Sequence, residues 1–174
     1  TQITSWAMEK LQGGLGDKKP FFLGVGYYRP HIPLFAPQKY FNRFTGSPGK
    51  LPFVVTDDLK DVGPIASKWA RDPVTAGSHE TVLKHRQWRA AVEAYLACTT
   101  YVDYEIGRLL NALDKSNAAD DTWIFLWSDH GWHLGEKEHW GKWTGWERST
   151  KVPLIVVPPK RLAKQFAPAG SRCD

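Results

Sequence analysis

Hydrophobic residues recur along this chain at two different spacings, which predict helices in some segments and strands in others. Near the N-terminus they fall at steps of three and four, as in a helix with one buried face: Ile3, Trp6, Ala7 and Leu11. The same spacing returns after Ser78 and predicts one long amphipathic helix ending near Ser116 and Asn117: Val92, Tyr95, Leu96, Thr99, Val102, Ile106, Leu109, Leu110 and Leu113. We expect this long helix to be scaffold.

Three continuous apolar runs predict buried strands. They cover residues 20–26, 123–127 and 152–157. Together with the long helix, they predict an α/β fold: a layered sheet with helices on both faces and neighbouring strands parallel. Residues 35–75 are rich in proline and glycine, and we predict an irregular excursion over the surface there.

Composition limits the class of protein. The chain has 174 residues, 42% of them hydrophobic, which is enough for one domain or part of one. Its formal charge of +5 is spread without a polybasic block, so nucleic-acid binding is not indicated. No apolar run approaches the roughly 20 residues of a membrane span. Cys98 and Cys173 indicate neither a disulfide framework nor a zinc site.

The second apolar run leads directly into residues that can bind a metal. Asp129 offers a carboxylate oxygen and His130 an imidazole nitrogen, at the end of a strand where open α/β sheets place their sites. Gly131 lets the backbone turn where a Cβ would clash, and Lys142 adds a cation suited to an anionic substrate. Taken alone, Asp-His-Gly is as typical of a strand end followed by an ordinary turn as it is of a metal site.

His31 is a candidate from a different part of the chain. It lies between Pro30 and Pro33, which favour an extended segment that can point an imidazole into a cleft. A lone histidine in such a place is more often structural. Nine tryptophans raise a similar choice between sugar stacking and core packing, the latter being commoner.

Asp57 and Asp58 have the chemistry of metal ligands, but a helix start explains them better. Thr56 or Asp57 can cap a helix, and carboxylates are favourable at its positive end. Apolar residues then continue at helical spacing through Ala70.

Three segments, in order, resemble the sulfatase family of the alkaline-phosphatase-like fold, in particular its iduronate sulfatase and choline sulfatase-like branch. They are PFFLGVGYYRPHIP at 20–33, YVDYEIGRLL at 101–110, and 128–155, which begins SDHGWHLGE and continues through HWGK to VPLI. The resemblance implies that residues 1–174 are the central part of one sulfatase catalytic domain, an internal piece of a longer protein.

The resemblance also implies roles for individual residues. Asp129 and His130 match the late pair of calcium ligands in this branch. Lys142 matches the lysine that binds the sulfate group, and His31 matches the histidine that contacts the sulfate or the bridging oxygen. Residues expected to shape the pocket beyond the sulfate are Trp132, His133 and His139.

Two parts of the family's machinery have no match in this chain. The nucleophile is a formylglycine made from cysteine in a C-x-P-S-R motif, and neither Cys98 nor Cys173 lies in one. The first pair of metal-binding aspartates also belongs upstream, and Asp57 and Asp58 follow the His31 segment in the position of a variable loop. We therefore expect a calcium-dependent sulfuric ester hydrolase only in the longer protein, acting on a small-molecule or carbohydrate sulfate ester. Relatives commonly work in the periplasm, in lysosomes or after secretion.

Two other readings remain open at this point. A phosphatase, phosphodiesterase or phosphonate hydrolase of the same fold would use a related metal edge, although most bind two transition metals through additional His and Asp ligands. A non-catalytic carbohydrate-binding module would use the tryptophans to stack on sugars.

Overall fold

The computed structural model describes residues 1–45, 51–72 and 77–166, which form two compact units. The first unit comprises Thr1–Tyr28, Val102–Trp127 and the described part of Leu154–Asp174. The second unit comprises Arg29–Tyr101 and Ser128–Pro153, within the described ranges. Every candidate site residue named above lies in the second unit.

Along the described residues, five helices precede the first strand, and all four strands lie after residue 123. The helices are α1 (Gln2–Gln12), α2 (Gln38–Phe41), α3 (Pro64–Arg71), α4 (His79–Lys84), α5 (Trp88–Asp114) and α6 (Glu147–Thr150), with 3-10 segments at Glu136–Glu138 and Lys160–Gln165. The strands are β1 (Ile124–Trp127), β2 (His133–Leu134), β3 (Trp140–Gly141) and β4 (Leu154–Val157).

The helix predicted near the N-terminus and the long helix predicted after Ser78 are confirmed. At α1 the Thr1 side chain caps the helix by accepting a hydrogen bond from the backbone N–H of Thr4 at 3.1 Å. The core of the first unit joins α1 to α5 through Leu11, Ala112, Leu113 and Ala118. The predicted long helix is α5, while the residues just after Ser78 form the separate α4. Arg86, with φ of 54°, lies in the break between them.

The predicted strand at residues 20–26 is wrong for the described structure. These residues have no strand pairing, and the side chain of Phe22 is 93% exposed. The apolar pattern is real, but a strand needs neighbours for its backbone hydrogen bonds. Among the described residues no strand pairs with this segment.

The strands predicted at 123–127 and 152–157 are present, but the expected parallel arrangement is wrong. β1 pairs antiparallel with β4, with Trp127 opposite Leu154 and Ile124 opposite Val157. The chain therefore leaves β1 and enters β4 at the same end of the pair, whereas parallel strands need a crossover to the opposite end. All four residues of β4 are exposed.

The excursion contains more regular structure than its composition predicts. Its described parts hold α2 and α3, joined by turns, while 46–50 and 73–76 lie outside the described residues. The helix predicted to begin at Thr56 or Asp57 instead begins at Pro64, after Gly63 as N-cap. Proline at the first helical position is favoured because its missing N–H has no partner there. Asp57 has a φ of 58° and lies in a turn.

None of the helices in the described ranges combines the length and the apolar character needed to span a bilayer.

Candidate active site

The site is built on the turn that follows β1. The Ser128 hydroxyl donates to the His130 carbonyl at 2.8 Å, and the Gly131 N–H donates to the Ser149 carbonyl at 2.8 Å. A Cβ on Gly131 would lie 2.1 Å from the carbonyl oxygen of Arg148. The prediction that Gly131 is needed where a side chain would clash is therefore confirmed, and this close approach fixes the backbone beside Asp129 and His130.

Asp129, His130 and Lys142 come together at this turn. Lys142 Nζ lies 2.9 Å from His130 Nε2, and Asp129 Oδ2 lies 3.5 Å from the same nitrogen. The Asp129 side chain is 82% exposed, so its carboxylate does not point into a hydrophobic interior. His130 and Lys142 are half-buried. A carboxylate, an imidazole and an ammonium thus converge at one partly open place.

The protonation of His130 follows from its partners. His130 Nδ1 lies 2.7 Å from the Gly131 carbonyl oxygen, which can only accept, so Nδ1 carries the proton. The lone pair of the neutral ring is then on Nε2, where it accepts a hydrogen bond from the Lys142 ammonium. Metal-binding histidines are oriented in the same way, by a hydrogen bond from the second ring nitrogen.

His31 and Trp132 extend this site within the second unit. The indole ring of Trp132 lies 6.4 Å from the ring of His31 and 6.4 Å from the ring of His130. Trp132 also stacks on Tyr95 at 6.2 Å. Arg29 Nη1 donates to the His31 carbonyl at 2.9 Å and so fixes the backbone of this segment. The structure therefore brings His31 and His130 to the same aromatic side chain.

His133 and His139 are buried, unlike the exposed Asp129. Their side chains are 0% and 1% exposed, and their rings contact each other edge to face at 5.1 Å. His133 lies between the Glu136 carbonyl and the Thr144 hydroxyl, at 2.9 and 3.0 Å. Burial lowers the pKa of His133, an effect that the hydrogen bond to Glu136 opposes. Their burial argues against the predicted contact with substrate and favours a supporting role.

The loop that carries Lys142 is held by a contact that the sequence does not reveal. Asp58 accepts a hydrogen bond from the backbone N–H of Lys137 at 3.0 Å and lies 2.9 Å from its Nζ. Burial alone would raise the pKa of Asp58, but hydrogen bonds from Lys137 and its charge outweigh that and keep the pKa below its ordinary value. The two residues are 79 positions apart, so no local pattern reveals the pair.

Cys98 is buried and forms no disulfide among the described residues. Burial raises the pKa of its thiol, and Arg29 opposes that effect. A thiol with a raised pKa is a poor nucleophile, which agrees with the absence of a sulfatase motif around it. Cys173 lies outside the described residues.

The donor atoms of Asp129 and His130 fit a metal ion in chemistry and spacing. Calcium binds oxygen ligands at about 2.3–2.6 Å, so one ion can contact two atoms that lie 3.5 Å apart. Two donors are fewer than the six to eight that calcium takes. Within the described residues, no group of three or more His, Cys, Asp or Glu side chains could hold a metal ion.

The architecture has a counterpart among solved structures. Yidj from Bacteroides fragilis, a protein assigned to the sulfatases, superposes with a TM-score of 0.65 and 29% sequence identity, over 91% of this chain and 30% of that one. Helices and sheet together thus define part of an alkaline-phosphatase-like α/β domain.

The sequence comparisons identify the family. The profile of the Sulfatase family matches residues 4–171, and the chain belongs to that family. It is 39% identical to a sulfatase of Formosa agariphila over 99% of this chain and 32% of that protein. It is 33% identical to human iduronate 2-sulfatase over 93% of this chain and 31% of that protein. The chain therefore spans about a third of the length of these relatives. Membership of the family implies a metal ion and a formylglycine.

Proposed function

We propose that the complete protein hydrolyses sulfate esters, and that residues 1–174 form the central part of its catalytic domain. The observation that carries the proposal is the convergence of Lys142 Nζ and Asp129 Oδ2 on His130 Nε2, at 2.9 and 3.5 Å. Hydrolysis of an anionic ester is favoured where metal-binding donor atoms lie next to a positive side chain. Asp129 and His130 supply such donor atoms, and Lys142 supplies the positive charge.

Asp129 and His130 would hold the metal ion, which we propose to be calcium. When bound, the metal and the formylglycine supply the activated nucleophile and charge stabilisation at the sulfuryl oxygens. Asp129 is the stronger ligand of the two, since a carboxylate oxygen suits calcium better than an imidazole nitrogen does. A bound calcium ion would need further ligands besides Asp129 and His130.

Lys142 would bind the oxygens of the sulfate group. Its ammonium is half-buried, so its attraction to an oxyanion is less screened than that of an exposed lysine. The Trp143 ring, 5.6 Å from Nζ, further confines the side chain. Charge that develops on the sulfate in the transition state would meet a cation already in place.

His31 would donate a hydrogen bond to a sulfate oxygen or a proton to the leaving group. Its Nδ1 lies 2.7 Å from the Ile32 carbonyl oxygen and so carries a proton. Nε2 is then the nitrogen that can face substrate. Donation from Nε2 requires the doubly protonated ring, whereas the neutral ring presents a lone pair there.

The test is the reaction of the complete protein with paired substrates. Purified enzyme is offered an aryl sulfate and the matching aryl phosphate, before and after removal of divalent cations with a chelator. We expect hydrolysis of the sulfate to dominate, to fall on chelation and to return with calcium. Preferred hydrolysis of the phosphate would favour the phosphatase class of the same fold, and no hydrolysis of either would favour a binding module.

A further inference from the structure

The turn between β2 and β3 leads to Lys142 and has an unusual backbone. Gly135 has a φ of 123°, and Lys137 and Glu138 have φ of 55° and 49°. Left-handed backbone is unfavourable for residues with a Cβ, and two such residues in succession need support from outside the turn.

Asp58 provides that support. Its carboxylate accepts from the Lys137 backbone N–H at 3.0 Å and lies 2.9 Å from Lys137 Nζ, which also donates to the Asp58 carbonyl at 2.8 Å. The two side chains are only 16% and 21% exposed. The neighbouring Asp57 is exposed and pairs with Lys60, three residues along the chain. Of these two adjacent acids, Asp58 is therefore the one that forms an ion pair with a residue of the turn.

His139 connects the turn to Lys142. It is buried, with Nε2 2.6 Å from the Lys142 carbonyl oxygen and Nδ1 2.7 Å from the Ala70 carbonyl oxygen at the end of α3. Arg71, the last residue of α3, also contacts Glu138 at 2.9 Å. Residues 58–71 thus hold the loop at Lys137, Glu138 and His139, immediately before Lys142.

We propose that Asp58 is a positioning residue for Lys142. It keeps the turn at 135–138 in its left-handed conformation and, through His139, sets where the Lys142 ammonium lies relative to His130. The inference rests on the proposed function, because it assumes that Lys142 binds the sulfate group. It assigns to the proline- and glycine-rich excursion a part in the chemistry of the site.

The experiment is a double-mutant cycle in the complete enzyme with an aryl sulfate as substrate. The variants are Asp58→Asn, Lys142→Ala, their combination, and Asp57→Asn as a control with the same chemical change one residue away. We expect Asp58→Asn to lower kcat about 10-fold or more, as misplacement of a catalytic group does, and Asp57→Asn to leave it unchanged within about twofold. In the Lys142→Ala background, Asp58→Asn should cause less than about a threefold further loss, because the group that it positions is absent.

Each failure has its own signature. Equal, additive losses from Asp58→Asn in both backgrounds would overturn the positioning role, since a general loss of structure does not depend on Lys142. Equal kcat for Asp58→Asn and Asp57→Asn would also overturn the positioning role. If Lys142→Ala still had a large effect in that case, the proposed function would stand. No effect of Lys142→Ala would instead count against the proposed function itself.

A second variant covers the case in which Asp58→Asn does not fold. Lys137→Met removes the ammonium contacts to Asp58 and to Asp61 but keeps the backbone N–H, from which Asp58 accepts a hydrogen bond. It should lower kcat in the same direction by a smaller factor, with circular dichroism unchanged. An unchanged kcat in folded Lys137→Met protein would contradict the inference.

Discussion

Lys142 Nζ lies 2.9 Å from His130 Nε2. This ring nitrogen is also the atom that we propose as a metal ligand. The contact is possible because His130 donates its one proton, on Nδ1, to the Gly131 carbonyl. A single imidazole lone pair can therefore serve either the ammonium or a cation bound beside Asp129. This shared nitrogen links the proposed sulfate-binding residue to the proposed metal ligands.

Replacing Lys142 with alanine should remove a charge contact made in the transition state. In the complete enzyme, we expect Lys142→Ala to lower turnover of an aryl sulfate by roughly two to four orders of magnitude. Steady-state kinetics measures this, with Lys84→Ala, an exposed lysine at the end of α4, as the control. Turnover at the level of the control would remove Lys142 from the site.

The 174-residue chain by itself should not hydrolyse sulfate esters. It contains no C-x-P-S-R motif, and Cys98, buried with a raised thiol pKa, does not replace one. We expect hydrolysis of an aryl sulfate at the level of a buffer blank, with and without calcium. Release of the phenol above that blank, retained after further purification, would mean that a nucleophile exists among these residues.

Gly131→Ala should destabilise the chain. The new Cβ would lie 2.1 Å from the Arg148 carbonyl oxygen, a backbone atom that cannot turn aside, and overpacking of this kind costs about 1–3 kcal/mol. Gly107→Ala is the contrasting change, since it lies within α5 and its Cβ would have no atom within 4 Å. Alanine there should stabilise the helix by up to about 1 kcal/mol. Urea unfolding measures the change in the free energy of unfolding, which should be a decrease for Gly131→Ala and an increase for Gly107→Ala. Equal changes in the two variants would contradict the geometry.

Stability should fall as the pH drops below about 6.5, the ordinary pKa of histidine. Burial lowers the pKa of His133 in the folded chain, so in this range the unfolded chain binds more protons than the folded one. The loss of stability begins near the pKa of His133 in the unfolded chain and is complete below its pKa in the folded chain. Above pH 6.5 there is no loss from this residue. Glu136 opposes the lowered pKa, while His139 and Arg148 add to it.

The measurement is the free energy of unfolding in urea at a series of pH values. His133→Gln should flatten the slope below pH 6.5, although not completely, because burial also lowers the pKa of His79. His85→Gln, at an exposed position, should leave the slope unchanged. An equal slope in all three proteins would contradict the assignment to His133.

The local chemistry of the site could be predicted because it is encoded over a few adjacent residues. An apolar run ending in Asp129, His130 and Gly131 predicts a strand, two ligand side chains and a backbone that tolerates no Cβ, and the clash at Gly131 confirms the last of these. The helix α5 could also be predicted, because a helix forms its backbone hydrogen bonds within one segment and its buried face recurs at a fixed spacing.

The strand pairing and the contacts that hold the Lys142 loop could not be predicted, because they involve residues far apart in the sequence. Residues 20–26 have the composition of a central strand but pair with no strand among the described residues, and β1 and β4 pair antiparallel. Strand pairing is set by neighbours that can come from anywhere in the chain. Asp58 was predicted to lie at the start of a helix and instead holds Lys137, 79 residues away.

The sequence by itself thus determined the family, the helices α1 and α5, and the identity of the residues at the proposed metal site. Only the tertiary structure decided that His133 and His139 are buried and that Lys142 reaches His130. Helical period and motif order are properties of consecutive residues, whereas burial and ion pairing depend on which distant segments the folded chain brings together.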